Sequence, residues 1–228
     1  MRGYPAVLAV FVTSLIVSNL IAVKIIAVGP LTLPAAVVLF PVAYICGDVL
    51  TEVYGYQGAR RAIWIGFGCN LLAVLAVTLA GRLPASPIWT AGSYRTPGEA
   101  QAAYDAMFGF SPRLLAASLA AYLVGEFLNA FVLARLKVAT AGRWLWLRTI
   151  GSTIVGQAAD SAVFISLAFA GILPASALAA AVASQWAFKT AYEAAATPLT
   201  YVVVNRLKRL EGADPFDRDL RFRPLPIR

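Results

Sequence analysis

Acidic and amide side chains recur inside long apolar stretches of this sequence, where they could carry out chemistry. Asp48 and Glu52 lie four residues apart in GDVLTEVYG, and Glu126 and Asn129 lie three residues apart in GEFLNAF. Residues at these spacings share one face of a helix. Two carboxylates on one face repel each other unless a cation, a proton or a hydrogen-bond donor lies between them. The pairs therefore indicate ligand binding, proton binding or gating.

Two later apolar stretches also carry polar groups at helical spacing. Gln157 and Asp160 lie three residues apart in RTIGSTIVGQAADSAVF, where glycines permit a second helix to approach closely. Lys189 and Glu193 lie one turn apart in QWAFKTAYEAAATP. A local ion pair between them and a polar ligand site are both open interpretations.

The first apolar stretch carries Asn19 and Lys24. These residues are five apart and project about 140° from each other on a straight helix, so both cannot face one small ligand without local distortion. Lys24 is also long enough to place its ammonium group at the membrane surface. Asn19 is thus a candidate for ligand contact and Lys24 a candidate for gating or anchoring.

The chain as a whole is strongly apolar, with 60% hydrophobic and 13% charged residues among 228. Soluble domains average about half apolar and a quarter charged residues, so we predict a polytopic all-α integral membrane protein. A spanning helix needs about 20 apolar residues. Six segments meet this need, at about 5–27, 31–53, 62–83, 113–136, 149–172 and 175–205. They form one predicted domain over 1–210, followed by a cytoplasmic tail over 211–228.

Lysine and arginine residues concentrate at one set of predicted segment ends, whereas the opposite ends hold only Arg82, Arg95 and Arg113. Because positive residues mark cytoplasmic loops, both termini are predicted to be cytoplasmic and the loop over 84–112 to lie outside. Arg60 and Arg61 leave a second interpretation of Asp48 and Glu52. In it, this helix end reaches the headgroups and the arginines pair with the acids.

Several functional classes are excluded by what the sequence lacks. There is no histidine, and Cys46 and Cys69 have no CxxC spacing, so we expect no metal or haem cofactor. No glycine-rich phosphate-binding motif occurs, so the chain is not expected to hydrolyse ATP by itself. The net charge of +8 comes from basic residues spread along the membrane ends, which does not favour nucleic acid binding.

Polar groups from five of the six segments predict a pocket inside the helix bundle. Ionisable groups at membrane depth cost about 2.5–3.5 kcal/mol each on insertion scales, so each is a functional candidate. Carboxylates and amides can pair with the edge of a heterocycle, and aromatic residues such as Tyr44 and Trp186 can stack on its ring. A planar, donor-rich heterocycle of the guanine type fits, and so would an amino acid or a cation.

Four stretches carry a family resemblance: FPVAYICGDVLTEVYGYQGARRAIWIGF, GEFLNAF, LRTIGSTIVGQAADS and KTAYEAAATP. Together they resemble the queuosine precursor transporter family, also called the VUT family. The resemblance implies an inner-membrane importer of 7-cyano-7-deazaguanine and 7-aminomethyl-7-deazaguanine for salvage into tRNA modification. It also implies six transmembrane helices similar to the substrate-binding components of vitamin importers, a homodimer by analogy, and no ATPase module.

The residues and the resemblance together give each candidate a role. Glu126 or Asp160 would accept hydrogen bonds from the ring N1–H and 2-amino group, and Gln157 or Asn129 would meet the O6 or cyano group. The full predicted substrate site comprises Asn19, Tyr44, Glu126, Asn129, Gln157, Asp160, Trp186, Lys189 and Glu193. The predicted residues for gating or proton coupling are Lys24, Asp48 and Glu52, with the Lys189 and Glu193 pair as a further candidate.

Two rival functions stay open. The chain could capture substrate for a separate ATP-driven importer. It could also be an intramembrane aspartyl protease built on Asp48 and Asp160, although YICGDVL lacks the GxGD pattern.

Overall fold

The computed structural model describes residues 2–28, 31–109, 112–219, 221–222 and 224. Long helices dominate this part of the chain, as the composition predicted. The helices are α1 (Tyr4–Ile21), α2 (Phe40–Arg82), α3 (Pro97–Phe108), α4 (Pro112–Ala139), α5 (Leu145–Phe169) and α6 (Ala175–Glu211).

Helix α2 folds back on itself at Gly55. This residue has φ 76° and ψ 171°, a backbone conformation that strongly favours glycine. Phe40 and Asn70 line one cavity, although a straight helix would separate them by about 45 Å. A Cβ atom on Gly58 would lie 3.7 Å from the carbonyl oxygen of Leu50. Residues 40–54 and 56–82 therefore form two arms that run in opposite directions.

The region between α1 and α2 differs from the prediction. Segments at 5–27 and 31–53 were expected to be helical throughout, but α1 ends at Ile21 and an antiparallel strand pair follows, β1 (Ile25–Val28) and β2 (Leu31–Pro34). A short 3₁₀ helix, Ala35–Val38, leads into α2. Successive β-branched residues such as Ile25 and Ile26 favour strand over helix, and apolar content alone did not reveal this.

The predicted outer loop contains a helix that the apolar pattern did not indicate. Thr96 accepts a hydrogen bond from the Glu99 amide at the start of α3, and Glu99 accepts one from the Thr96 amide. This capping box satisfies amides that the first turn would leave unpaired. Tyr104 and Gln101 then donate to the carbonyl oxygens of Val77 and Gly81, which fixes α3 against the end of α2.

By length and composition, four helical stretches in the described part of the chain could cross a membrane: α1, α2, α5 and one that includes α4. Helix α6 falls outside this set because Gln185, Lys189 and Glu193 interrupt its apolar residues. A helix that brings polar groups into a bundle needs partners for them. The cavity described below contains several.

Candidate functional site

A cavity of about 320 Å³ lies among the helices, within the range of small-molecule sites. Its apolar wall includes Phe11, Phe40 and Phe164. Its polar lining comprises Ser18, Asn19, Tyr44, Asn70, Ser118, Tyr122, Glu126, Gln157, Asp160, Gln185 and Lys189. Polar side chains from α1, both arms of α2, α4, α5 and α6 thus converge on one chamber.

The two carboxylates of the cavity have different surroundings. Lys189 of α6 forms a short ion pair with Asp160 of α5, and not with Glu193 one turn along its own helix. The local Lys189 and Glu193 pair that the spacing permitted is therefore not formed. Glu126 has no salt-bridge partner among the described residues, and its Oε2 lies against Gly47, 3.3 Å from where a Cβ atom would be. Glu126 is the carboxylate available to a ligand.

Two glycines bring α4 and α5 into close contact beside the cavity. A Cβ atom on Gly125 would lie 2.8 Å from Cβ of Asp160, and one on Gly156 would lie 2.8 Å from Cβ of Asn129. Each glycine thus leaves room for a polar residue of the other helix. Since Asp160 and Glu126 both line the cavity, this contact sets the spacing between its carboxylates.

The side-chain amides of the cavity differ in their hydrogen bonding. Asn19 donates to Asn70 at 2.9 Å, which joins α1 to the second arm of α2. Gln157 Oε1 is buried and has no hydrogen-bond donor among the described residues. A buried amide oxygen without a partner costs free energy. Gln157 therefore offers a ligand an acceptor whose pairing would be favourable.

Asp48 and Glu193 lie beside the cavity and not in its lining. Both are 1% exposed, and their carboxyl groups are within hydrogen-bonding distance of each other across α2 and α6. Asn129 of α4 donates to Asp48 Oδ1 at 3.3 Å. The spacing predicted that Asp48 acts together with Glu52 on one helix. In the structure Asp48 interacts with Glu193 of α6 instead, whereas Glu52 pairs with cations.

Glu52 is the centre of a buried ion cluster. Its Oε1 accepts from Arg148 at 2.8 Å and from Lys208 at 2.6 Å, and lies 3.4 Å from Lys137 Nζ. Glu52 is fully buried and Arg148 is 1% exposed. Glu52 is thus paired with cations, as the second interpretation held. Its partners come from α4, α5 and α6, however, and are not Arg60 or Arg61. The cluster joins three helix ends.

The residues after α6 pack against the same helix ends. Asp214 forms ion pairs with Lys137 at 2.6 Å and Lys208 at 2.8 Å. Asp217 accepts from the Tyr56 amide at 2.9 Å, which caps the second arm of α2 where it begins. Trp64 donates to the carbonyl oxygen of Pro224 at 2.7 Å. The predicted tail is thus attached to the helix bundle over its described residues.

Asp214 is the titratable group that links the tail to the ion cluster. Partial burial of its carboxyl group acts to raise the pKa, but hydrogen bonds and charge interactions with Lys137 and Lys208 outweigh it. The pKa of Asp214 therefore lies below its ordinary value.

The structure brings six of the nine predicted substrate-site residues to the cavity: Asn19, Tyr44, Glu126, Gln157, Asp160 and Lys189. Asn129 and Glu193 contact Asp48 instead. Trp186 lies outside the lining, where its indole donates to the carbonyl oxygen of Ile154. Lys24 is exposed and lies beyond the end of α1 at Ile21, so the helical angle between it and Asn19 does not apply.

Three important polar residues were not identified from the sequence. Asn70 lies in an apolar segment with few other polar groups, and that isolation was the available signal. Gln185 lies one turn before Lys189 on α6, and this spacing could have placed it on the same face. Arg148 was assigned to the membrane surface, although a buried Glu52 required a cation.

Long apolar helices around a polar chamber of ligand size indicate a multi-pass membrane protein with an internal candidate site. Residues 34–203 match the family described as "Putative vitamin uptake transporter". The chain belongs to this transporter family, which confirms the resemblance found in the sequence.

Two curated relatives each match more than half of the chain. The "Probable queuosine precursor transporter" of Bacillus subtilis (strain 168) is 34% identical over 159 residues, 69% of this chain and 66% of the relative. The "Queuosine precursor transporter" of Escherichia coli (strain K12) is 30% identical over 130 residues, 57% of this chain and 52% of the relative. The chain thus spans about two thirds and about half the length of these relatives. No solved structure matches it significantly.

Proposed function

We propose that this chain imports queuosine precursors, 7-cyano-7-deazaguanine and/or 7-aminomethyl-7-deazaguanine, across the inner membrane for salvage into tRNA modification. The names of both relatives support this substrate class. The observation that carries the proposal is Glu126, a carboxylate in an internal cavity without a salt-bridge partner among the described residues. Such a group is stabilised either by a proton or by a donor-rich ligand, and the cavity beside it has room for the ligand.

The chemistry of the cavity suits a deazaguanine ring. Glu126 would accept from the ring N1–H and the 2-amino group, as a carboxylate can accept two parallel hydrogen bonds. Lys189 offsets the charge of Asp160, so the ring meets one uncompensated carboxylate. The Gln157 side-chain NH2 group would donate to the O6 or cyano group, and its unpaired Oε1 would accept from a ring donor. Tyr44, stacked with Phe40 at 6.0 Å, offers an aromatic face.

We further propose six spans with both termini cytoplasmic. The two arms of α2 would be separate spans, and α6 would span with its polar face toward the cavity. The Glu52 cluster joins the helix ends on the side of the termini, whereas the cavity is lined by Phe40 at the start of α2 and Phe164 near the end of α5. In this arrangement the chamber is closed on the cytoplasmic side by the Glu52 cluster and the tail.

Uptake of labelled 7-cyano-7-deazaguanine into proteoliposomes that contain the purified protein tests the proposal. Glu126→Gln should reduce the initial rate at least about tenfold, because losing an ionic hydrogen-bond acceptor costs about 1.5–3 kcal/mol. Asp160→Asn should also reduce it. Asp105→Asn, which changes an exposed acid on α3, is the matched control. Full uptake by both cavity variants would remove these carboxylates as ligands.

The same assay separates the rival functions. The second candidate is substrate capture for a separate ATP-driven importer, and the family description as a vitamin uptake transporter is compatible with it. Transport by the purified chain without ATP supports a solitary carrier, whereas a requirement for a co-purified ATPase supports the rival. We propose no enzymatic activity; cleavage of a membrane substrate that is lost on Asp48→Asn would contradict this. A homodimer is proposed by analogy, and crosslinking in membranes tests it.

A further inference from the structure

Three buried carboxyl oxygens near the cavity have no hydrogen-bond donor among the described residues. They are Asp48 Oδ2 and both side-chain oxygens of Glu193. The two residues are each 1% exposed and lie within hydrogen-bonding distance of each other. Asn129 supplies one donor, to the other oxygen of Asp48, and its own Oδ1 is also unpaired.

Elementary electrostatics limits what this pair can be. Two ionised carboxylates in contact, buried and without a cation between them, repel strongly and lose the hydration of both charges. A proton on one carboxyl group removes a charge and supplies the missing donor, so that one acid hydrogen-bonds to the other. The pair needs a bound cation, and a proton is the cation that needs no additional ligands.

The charged groups around the pair reinforce this conclusion. The ionisable neighbours of the pair include Glu52, on the same helix as Asp48, and Glu126 of α4. Both add negative charge when ionised and so do not neutralise the pair. The described cations next to them are already engaged, since Arg148 and Lys208 pair with Glu52 and Lys189 pairs with Asp160. Helix α1 carries no lysine, arginine or acid. No group of three histidine, cysteine or acidic residues in the described ranges could hold a metal ion.

We propose that Asp48 and Glu193 form a proton-binding pair that couples substrate uptake to proton entry, with about one proton carried per substrate. The inference rests on the proposed importer function for its role, but not for the site itself. A proton from water on the outer side would bind one carboxyl oxygen, and the same proton would be released to water on the inner side.

The position of the pair couples its protonation to substrate binding. Asn129, which donates to Asp48, lies one turn from Glu126 on α4, so that protonation and ligand binding act on neighbouring residues of one helix face. Each acid also precedes a residue that disturbs a regular helix: α2 reverses at Gly55, and Pro198, inside the continuous helix α6, lacks an amide donor. Gly55 follows Asp48 by about 10 Å, and Pro198 follows Glu193 by about 8 Å along the helix. Charge on the pair would therefore bias how these segments pack.

Infrared spectroscopy of the purified protein tests the site without any substrate. At neutral pH the wild type should show the carbonyl stretching band of a protonated carboxylic acid. The double variant Asp48→Asn with Glu193→Gln should lose intensity in this band, while Asp105→Asn should keep it. The amide pair can form its own hydrogen bond, which favours folding of the variant. Equal intensity in wild type and double variant would overturn the proposal.

Proteoliposomes test the coupling. A gradient of one pH unit, acid outside, should drive about tenfold accumulation of 7-cyano-7-deazaguanine if one proton accompanies each substrate. Asp48→Asn and Glu193→Gln should each lose this accumulation, yet still exchange labelled for unlabelled substrate. Accumulation that ignores the pH gradient, or that follows a sodium gradient, would overturn the coupling.

The two assays distinguish this inference from the proposed function. A wild-type protein that neither accumulates nor exchanges the deazaguanine contradicts the substrate assignment. In that case the infrared band and its loss in the double variant still decide whether the pair holds a proton.

Discussion

Glu52 shows how single buried charges are accommodated in this protein. The carboxylate is removed from water, which is costly for a charge, and it meets Arg148, Lys208 and Lys137 from three helices. Lys137 also donates to the carbonyl oxygen of Glu52 at 2.7 Å. Because the partners belong to different helices, the cluster fixes their ends relative to α2.

Glu52→Gln should lower the free energy of unfolding by about 3–5 kcal/mol, because it leaves the buried Arg148 without its carboxylate. Denaturant unfolding of the purified protein in detergent measures the change. Adding Arg148→Met should recover part of the loss, since the double variant buries no unpaired guanidinium group. Asp105→Asn is the surface control, and wild-type stability of Glu52→Gln would show that the cluster is not structural.

At this scale the sequence indicates which residues are polar at membrane depth but not which of them pair. Spacing along one helix suggested Asp48 with Glu52 and Lys189 with Glu193. The structure pairs Asp48 with Glu193 and Lys189 with Asp160. These partners lie on different helices, and their contact depends on helix rotation and packing, which spacing within one segment does not encode.

Gly125 and Gly156 act at the scale of two packed helices. Because neither glycine has a side chain, α4 and α5 approach each other closely. Gly125 of α4 contacts Asp160 of α5, and Gly156 of α5 contacts Asn129 of α4. A methyl group at either position would overlap Cβ atoms of Asp160 or Asn129, which are fixed to the backbone. The helices would have to separate.

Gly125→Ala and Gly156→Ala should each lower thermal stability and weaken substrate binding together, because the same displacement moves Asp160 in the cavity wall. Overpacking of this kind typically costs about 1–3 kcal/mol. Gly68→Ala on the second arm of α2 is the matched control, since a Cβ atom there meets nothing within 4 Å. Melting curves with and without ligand measure both effects, and unchanged behaviour of both cavity-side variants would refute the packing argument.

The sequence predicts an element boundary where the apolar pattern is interrupted. It does not predict a boundary at which the residues stay equally apolar or at which hydrogen bonds alone set the helix start. The gap predicted between segments ending at 53 and beginning at 62 contains Gly55, where α2 reverses. The strand pair after α1 was missed because its residues are as apolar as a membrane helix. Helix α3 was missed because its capping box, and not an apolar face, sets its start.

At the scale of the whole molecule, the described part of the tail packs against one end of the helix bundle. Asp214, Asp217 and the Pro224 carbonyl group contact α4, α6 and the second arm of α2. The pKa of Asp214 is held below its ordinary value by its lysine partners, although burial opposes this. A depressed carboxyl pKa means that the folded state favours the ionised form.

Asp214→Asn should lower stability at neutral pH, and the difference from wild type should vanish on acidification. The Asp214 contribution is fully present above the unfolded-state pKa, about 4, and is lost as the pH falls through the lower folded-state value. Unfolding measured at several pH values checks this, with the exposed Asp219→Asn as control. A difference that is independent of pH would contradict the assignment.

The class of protein could be predicted from composition, and the family from four sequence stretches. Attachment of the tail could not be predicted, because residues 211–228 carry mixed charges without a periodic pattern. The partners of Asp214, Asp217 and Pro224 lie on three different helices, α2, α4 and α6. Convergence of polar groups on one chamber was predicted, and Glu126, Gln157 and Asp160 do line it.

Ligand binding to the purified protein tests the central claim most directly, because the account requires a deazaguanine in the cavity beside Glu126. Melting curves should shift upward with 7-cyano-7-deazaguanine, by an amount that reflects about 2.7 kcal/mol at a hundredfold excess over Kd. Riboflavin and biotin should give no shift, and Glu126→Gln should lose most of the deazaguanine shift. No shift with either queuosine precursor, or an equal shift in Glu126→Gln, would contradict the account.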